Sequence, residues 1–404
     1  MINAQFRRLL GAAALSDTAN GVFTVAATII ASQVSRSPLV VGAVTVAATL
    51  PWLVLAIPAG MLADAADRRR VITVANVVRG LLMLAMAAVL SFHLPVVALL
   101  IVVVFVVAAT QTAVDTAAEA LIPELVPSTE LTRANGFIAV STRVCYQFAG
   151  PLLAGALIGF AVQLPALVAG VACLAAALLL GGAATPDRVA STGAEPQPVR
   201  FLTGLRTIAR NPVLATVVGV GMVTTLGWAA FNTVFVLYAI DPGPLGLTPA
   251  TYGLLIGLIG VGAAVGSLLT ARLERLVGQE HVLWLTRTGW ATVFAAPLVL
   301  DGLWLGLAMA AGSVFGGMWT AQAMSVRQRT VARRELGQVG GASRMLSYGA
   351  TPIGAALGGV AGGLLDTRVV FAVCAAASLI TIVPIRRWLS APALARAERA
   401  LVSA

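Results

Sequence analysis

The sequence predicts an all-α integral membrane protein with twelve transmembrane helices in two pseudo-symmetric six-helix bundles. Of its 404 residues, 59% are hydrophobic and only 10% are charged, whereas a soluble domain carries about 25% charged residues. The mean hydropathy of +0.94 points the same way. Long apolar stretches recur along the chain, and one polar pattern repeats between its halves. Together these observations indicate an outer surface that faces lipid rather than water.

Twelve stretches are long and apolar enough to cross a membrane, which takes roughly 20 helical residues. The predicted spans, first to twelfth, are residues 8–32, 38–62, 71–92, 95–118, 134–160, 162–184, 212–239, 249–271, 282–300, 303–325, 338–364 and 368–388. The first span is too long for a cleavable signal and leads directly into the second.

The arginines predict the orientation of these spans. All 26 basic residues are arginines. Four lie well inside spans. Arg36 and Arg368 lie in a loop or at a span end on one side, and the remaining twenty lie in loops, tails or span ends on the other side. An excess of basic residues marks the cytoplasmic side, so we expect an inner-membrane protein with both termini in the cytoplasm. The net charge of +10 is then a consequence of topology, and we expect no nucleic-acid partner.

One long polar stretch divides the spans six and six. Residues Thr185–Asn211 carry three prolines and four arginines, as a cytoplasmic linker does. We therefore predict an N-terminal bundle at residues 1–184, a linker at 185–211, and a C-terminal bundle with a short tail at 212–404. The remaining loops are too short to hold a catalytic domain.

The two halves repeat a pattern of glycine, arginine and proline. Gly136, Arg143 and Pro151 in the fifth span recur at equal spacing as Gly337, Arg344 and Pro352 in the eleventh. Internal repeats of this kind are typical of transporters, which alternate access around a site between the repeats. Proline breaks a helix hydrogen bond, and glycine permits close approach of helices. The predicted bending and sliding positions are Gly150, Pro151, Gly155, Pro352 and Gly354.

The loop between the second and third spans carries a recognisable motif. Residues 60–70 read Gly-Met-Leu-Ala-Asp-Ala-Ala-Asp-Arg-Arg-Arg. This resembles the signature loop of the major facilitator superfamily of transporters, with Ala65 and Asp67 departing from the usual arginine and glycine. Ala120–Pro127 and Phe148–Gly155 resemble stretches of its drug-and-siderophore exporter subgroup, which includes macrolide and enterobactin exporters.

The resemblance implies a gate at this loop. Asp64, with Gly60 and Leu62 beside it, would accept hydrogen bonds from the free N–H groups that start the eleventh span. Arg68 and Arg69 would bind acidic side chains or lipid phosphates. The alternative is a tight loop with topogenic arginines only. For Arg79, in the third span, a structural or gating ion pair is favoured over substrate contact.

Asp17 and Asp115 are the candidates for proton coupling. Asp17 lies near mid-membrane in the first span, where a lone charge costs several kcal/mol. Taking up a proton removes that cost. The alternative is a structural hydrogen bond to Asn20 or to a neighbouring helix. Arg143 could pair with either acid. The alternative for Asp115 is to serve only as a partner for Arg79 or Arg143. The fourth span lacks the arginine that many antiporters carry there, so a different relay is expected.

A second group of residues could form the substrate surface. Aromatic faces with a few amides and charges suit bulky amphipathic ligands, although aromatic side chains also serve as interface anchors. The candidates are Asn20, Arg143, Tyr146, Gln147, Trp228, Asn232, Trp319, Gln322 and Arg344.

The sequence thus predicts a secondary active transporter that exports small amphipathic molecules such as drugs, antibiotics or siderophores, driven by protons. The alternative is uptake or facilitated diffusion of another small solute within the same superfamily. A membrane-embedded enzyme or a sensor is a remote alternative, because no converging set of histidines, cysteines or paired acids is evident. We expect a monomer in the lipid bilayer, with neither cofactor nor metal.

Overall fold

The computed structural model describes residues 4–55, 58, 66–92, 97–127, 130–181, 201–331 and 335–402. Its helices are Ala4–Val34, Pro38–Val54, Arg68–Ser91, Val97–Leu125, Leu131–Thr142, Gly150–Phe160, Leu164–Gly181, Phe201–Arg210, Pro212–Ala239, Pro249–Val277, Gln279–Val299, Gly302–Thr330, Leu336–Leu364, Thr367–Ile380, Ile382–Trp388 and Ala391–Val402. A π-helix at Arg143–Ala149 joins the two parts of the fifth span.

These helices confirm the predicted all-α membrane fold. Within the described residues, nine helices are long and apolar enough to cross a membrane, counting Thr367–Trp388 as one. The second span is described only as the shorter Pro38–Val54 helix, and the eleventh is the 29-residue helix Leu336–Leu364. The ordinal names of the spans are kept below for the helices that occupy them.

The chain forms two compact units. Unit 1 consists of Met1–Ala184 and Thr233–Val261, and unit 2 of Thr185–Asn232 and Gly262–Ala404. Unit 1 therefore takes in the C-terminal end of the seventh span and the N-terminal half of the eighth. The division by chain order at residues 184 and 212 stays a prediction.

Each unit has an apolar core made by small and branched side chains. In unit 1, Phe6 and Leu9 of the first span pack with Ile72, Val114 and Leu121 of the third and fourth spans. In unit 2, a cluster that includes Val213, Val217, Leu283 and Val326 is joined by Ile385, Leu389 and Leu394 from the end of the chain. These cores hold the helices that carry the polar residues described next.

The end of the predicted linker is a helix rather than an irregular segment. Phe201–Arg210 packs on the eleventh span so closely that a Cβ atom at Gly204 would lie 2.4 Å from the Gln338 carbonyl oxygen. Ile208 joins an apolar cluster with Val339 and Ala342 of that span. This helix is not evident from the sequence, because ten residues with one apolar face are hard to distinguish from the polar segment around them.

Candidate functional site: a buried acid cluster and an aromatic cluster

Asp17 is buried in unit 1 and faces the fifth span. Its Oδ2 accepts a hydrogen bond of 2.9 Å from Thr142 Oγ1. Gly21, one turn later on the same helix face, crosses Gly150 so closely that a Cβ atom at Gly150 would lie 2.6 Å from the Gly21 Cα. The tight crossing brings Asp17 within reach of the fifth span.

Arg79 is fully buried beside the first span. Its Nη1 donates to Ser16 Oγ at 2.8 Å and to Asn76 Oδ1 at 3.2 Å. Ser16 Oγ in turn donates to Asn76 Oδ1 at 3.0 Å. Neutral groups therefore hold the guanidinium in place, and its charge acts on the acids nearby.

Asp115 completes the cluster from the fourth span. Gln111 Nε2 donates to its Oδ1 at 2.7 Å, and Asp115 lies close enough to Asp17, Arg79 and Glu119 for electrostatic interaction. Three helices thus bring two carboxylates and one guanidinium together. Because one positive charge cannot balance two negative ones, the cluster can hold a proton shared between its acids.

The described hydrogen-bond partner of Asp17 is Thr142 of a neighbouring helix, and Arg79 supplies a nearby positive charge. The expected pairing of Arg143 with Asp17 or Asp115 stays a prediction. Arg143 begins the π-helix, one position beyond the residue that turns toward Asp17.

The π-helix carries three of the predicted cavity residues. Arg143 and Tyr146 are partly buried and Gln147 is exposed. Gly150 N–H donates to the Cys145 carbonyl, five residues back, and Pro151 has no N–H to donate to Gln147. The eighth span approaches that carbonyl, since a Cβ atom at Gly260 would lie 2.5 Å from the Gln147 oxygen. π-Segments inside α-helices are frequent at functional sites.

The predicted bending positions lie at close helix crossings. A Cβ atom at Gly155 would lie 2.3 Å from the Pro249 carbonyl oxygen of the eighth span. In unit 2, a Cβ atom at Gly354 would lie 2.3 Å from the Leu226 carbonyl oxygen of the seventh span. Pro352, two residues earlier in the eleventh span, is buried.

Only part of the predicted gate is described. Gly60, Leu62 and Asp64 lie outside the described residues. Arg68 forms an ion pair with Glu124 and donates to the Ala120 carbonyl at 2.9 Å, and Arg69 is buried.

Asp67, the departure from the usual motif, caps the third span. Its Oδ1 accepts from the backbone N–H groups of Arg69 and Arg70 at 2.9 and 3.4 Å. A carboxylate in that place satisfies free N–H groups and complements the helix dipole. The motif loop therefore supplies the N-cap residue of the third span.

Unit 2 contains an aromatic cluster. Trp228 and Trp290 lie edge to face with ring centroids 5.4 Å apart, and Phe231 lies beside Trp228 at 6.1 Å. Asn232 Nδ2 donates to the Trp228 carbonyl at 3.0 Å. The seventh and ninth spans thus present one aromatic wall.

A second buried arginine lies near this wall. Arg287 is fully buried, donates from Nη1 to Thr224 Oγ1 at 2.6 Å, and has its guanidinium carbon 4.4 Å from the centre of the Trp319 ring. Gln322 is also fully buried. Arg344, by contrast, is exposed and lies near Arg327.

Two polar residues are not among the site residues that the sequence predicts. The first is Arg287, which corresponds to Arg79 of unit 1. The structure places both in the same way, each bound to a hydroxyl 63 residues earlier. Arg36 was counted only for topology, yet it donates to the Leu237 and Ile240 carbonyls at 3.4 and 3.2 Å and also to the Asp241 carbonyl. Its isolation on the arginine-poor side was the signal that could have singled it out.

The chain is similar to known membrane transport proteins along most of its length. A family model described as a transmembrane secretion effector matches residues 1–383. An MFS-type transporter of Sinorhizobium fredii, y4rN, is 28% identical over 87% of each chain. The multidrug efflux pump Tap of Mycolicibacterium fortuitum is 29% identical, again over 87% of each chain.

Solved structures share the fold at lower identity. The nucleoside transporter NupG superposes with a TM-score of 0.78 at 12% identity, covering 95% of this chain and 99% of its own. A bacterial homologue of the iron transporter ferroportin, in an inward-facing state, gives a TM-score of 0.69 at 16% identity, covering 96% and 98%. At these identities the likeness concerns the fold alone.

Proposed function

We propose that this chain, which belongs to the transmembrane secretion effector family of the major facilitator superfamily, exports small amphipathic molecules in exchange for protons. A transporter of this family is not an enzyme, and its work is to move a small molecule across the membrane. Export and proton coupling are the parts that we add.

The observation that carries the proposal is the acid cluster of Asp17, Asp115 and Arg79. Charged side chains at membrane depth are costly and mark ion or proton pathways. With both acids ionised the three groups carry one net negative charge, which one proton neutralises. Since Asp17 hydrogen-bonds to the fifth span, protonation would weaken its charge-assisted bond to Thr142 and free that contact.

Export is supported by one relative. Tap is a multidrug efflux pump by its name and matches along most of both chains. The aromatic wall of Trp228 and Trp290 offers a face for apolar ring systems, as expected for drug-like molecules. Drugs, antibiotics and siderophores are therefore the substrate classes we propose to screen.

The proposed orientation places both termini in the cytoplasm of a cell with the protein in its inner membrane, following the arginine distribution. The chain would act as a monomer by alternating access, with Asp64 and Arg68 at a cytoplasmic gate. Labelling of single cysteines at Ser91 and Arg275 with a membrane-impermeant reagent in intact cells tests the orientation: only the former should react.

The function is tested in two stages. A pump-deficient host that expresses the chain is screened for growth in a macrolide, a tetracycline, ethidium and a catecholate siderophore. Inverted vesicles then receive the compound that scores, with and without an imposed pH gradient. Accumulation that follows the gradient supports proton-driven export. Accumulation that follows only the compound's own gradient would replace it with facilitated diffusion, and gradient-driven release would replace it with uptake.

A further inference from the structure

Arg287 carries a buried charge for which the described part of unit 2 offers no carboxylate. Nε donates to Thr286 Oγ1 at 2.9 Å and Nη1 to Thr224 Oγ1 at 2.6 Å, whereas Nη2 has no partner among the described residues. The carboxylates described in unit 2 lie at helix ends: Glu274, Glu280, Asp301, Glu335 and Asp366. None of them pairs with Arg287 in the described part of the chain.

The equivalent arginine in unit 1 is placed differently. Arg79 has the same hydroxyl contact at the same chain separation, but Asp17 and Asp115 lie near it. A buried cation without a counter-charge is strongly destabilising. The Trp319 face offsets part of that cost by a cation–π interaction. An anion from outside the chain would offset the rest.

A second buried donor lies next to Trp319 on the tenth span. Gln322, one turn after Trp319 on the tenth span, is fully buried and its Nε2 has no partner among the described residues. Its Oε1 is already occupied, because Gln279 Nε2 donates to it at 3.2 Å. Gln279 is oriented in turn by Arg329, which donates to its Oε1 at 2.7 Å. The network therefore leaves Gln322 with a free donor, as Arg287 has.

Arg287 lies on the ninth span and its partner Thr224 on the seventh, and both spans also carry the tryptophans of the aromatic wall. Trp290 follows Arg287 by three residues and Trp228 follows Thr224 by four, so each tryptophan lies one turn further on the same helix face. The Trp290 ring reaches the tenth span at Gly316, where a Cβ atom would lie 3.0 Å from the indole. A polar group held at Arg287 would therefore have its apolar body against Trp228 and Trp290.

We propose that Arg287, Trp319 and Gln322 form a site for the carboxylate of an amphipathic organic acid, the substrate class of this transporter. The proposal rests on the transport function proposed above. In it, unit 2 binds the anionic substrate with donors only, and unit 1 handles the proton with its acids. Entry of the ligand requires the Trp319 ring to move away from the guanidinium, since Arg287 is fully covered in this structure.

The test is binding of 2-naphthoate to the purified full-length protein in nanodiscs by calorimetry, with 2-naphthamide as a neutral isostere. We expect naphthoate to bind at least about tenfold more tightly than naphthamide, and Arg287→Gln to lose that preference. Arg275→Gln, which removes an exposed charge whose Nε bonds to its own helix, should behave as wild type. Equal binding of the two probes to wild type, or an unchanged preference in Arg287→Gln, would overturn the proposal.

Gln322→Glu provides a second variant in case Arg287→Gln does not fold. The glutamate carboxylate would take the place of the ligand's carboxylate in the proposed site. We therefore expect loss of naphthoate binding together with an unchanged or raised Tm. A lowered Tm with intact binding would contradict the site, since that outcome marks a purely structural glutamine.

Two further measurements complete the test. One distinguishes a small free anion from an amphipathic acid, and the other distinguishes failure of this site from failure of the proposed function. Acetate that competes as well as naphthoate would identify a site for small free anions and overturn the substrate assignment. Because binding is measured without a pH gradient, intact naphthoate selectivity without vesicle transport would contradict the proposed function alone. Transport of a scoring compound without such selectivity would contradict this site alone.

Discussion

At the scale of single residues, the buried polar side chains divide between the two units by charge. Unit 1 places Asp17 and Asp115 around Arg79, whereas the described contacts of the Arg287 guanidinium in unit 2 are with hydroxyl groups and an aromatic ring. The same helix positions thus hold acids in one half of the chain and neutral groups in the other. This asymmetry would let one half carry a proton and the other a substrate.

Replacing Asp17 by Asn should abolish transport driven by a pH gradient. The amide keeps a hydrogen-bonding partner for Thr142 but cannot take up a proton, so coupling is lost while insertion is retained. Accumulation of the scoring compound in inverted vesicles measures the effect. Asp301→Asn, at an exposed helix start without a side-chain cap bond, is the matched control. Gradient-driven transport by Asp17→Asn at the wild-type rate would exclude Asp17 as the coupling residue.

Replacing Asp67 by Ala should destabilise the protein by about 1 kcal/mol, the usual cost of losing an N-cap. The variant leaves the N–H groups of Arg69 and Arg70 without the carboxylate that caps them. Asp67→Asn keeps a capping oxygen and should lose much less. Thermal unfolding in detergent compares the three proteins, and equal Tm values for Ala and wild type would show that the cap carries no stability.

At the scale of helices, the fifth span combines a π-helix with close crossings to two other helices. Its π-helix precedes Gly150 and Pro151, and the glycines allow the first and eighth spans to touch its backbone. Motion of this span would change the Asp17 contact and the fifth-to-eighth crossing together. We therefore regard it as the element through which protonation of unit 1 is coupled to helix movement.

Substituting Gly150 by Ala should destabilise the protein by about 1–3 kcal/mol, as overpacking does. The new Cβ atom would lie 2.6 Å from the Gly21 Cα, and backbone must shift to admit it. Gly159→Ala is the matched control on the same helix, because a Cβ atom there meets nothing within 4 Å. A Tm for Gly150→Ala equal to that of the control would show that this helix crossing accepts a Cβ atom without loss of stability.

The sequence predicted these helices well and their partners less well. Pro151 and the repeat of Gly136, Arg143 and Pro151 marked the fifth span as special, and that span does contain a π-helix. Yet the repeat could not indicate that Thr142 would hydrogen-bond to Asp17. A π-turn changes which side chains face a neighbour, and this shift depends on the hydrogen bonds of the folded helix.

At the scale of the whole molecule, contacts within unit 1 join the first half of the chain to the second. Gly155 packs on Pro249, and Arg36 lies at the C-terminal carbonyls of the seventh span. Helix C-termini leave carbonyls without partners, and a cation there complements the helix dipole. Arg36 thus fastens the loop after the first span to the end of the seventh.

Substituting Arg36 by Ala should loosen that end of unit 1. Hydrogen exchange at the backbone amides of residues 233–247 should become several-fold faster, since charge-assisted hydrogen bonds are worth about 1.5–3 kcal/mol each. Arg368→Ala, on the same predicted side of the membrane, is the control. Unchanged exchange in Arg36→Ala would show that the join rests on the glycine crossings alone.

The sequence by itself determined the membrane class, the helices and the family. These follow from local properties, because an apolar stretch of sufficient length becomes a transmembrane helix whatever its neighbours are. The tertiary structure alone decided which polar residues meet. Ser16 and Arg79 lie 63 residues apart, and Asp17 and Thr142 lie 125 apart; only helix packing sets such distances. For the same reason, only the packed helices show that Arg287 has no carboxylate partner among the described residues.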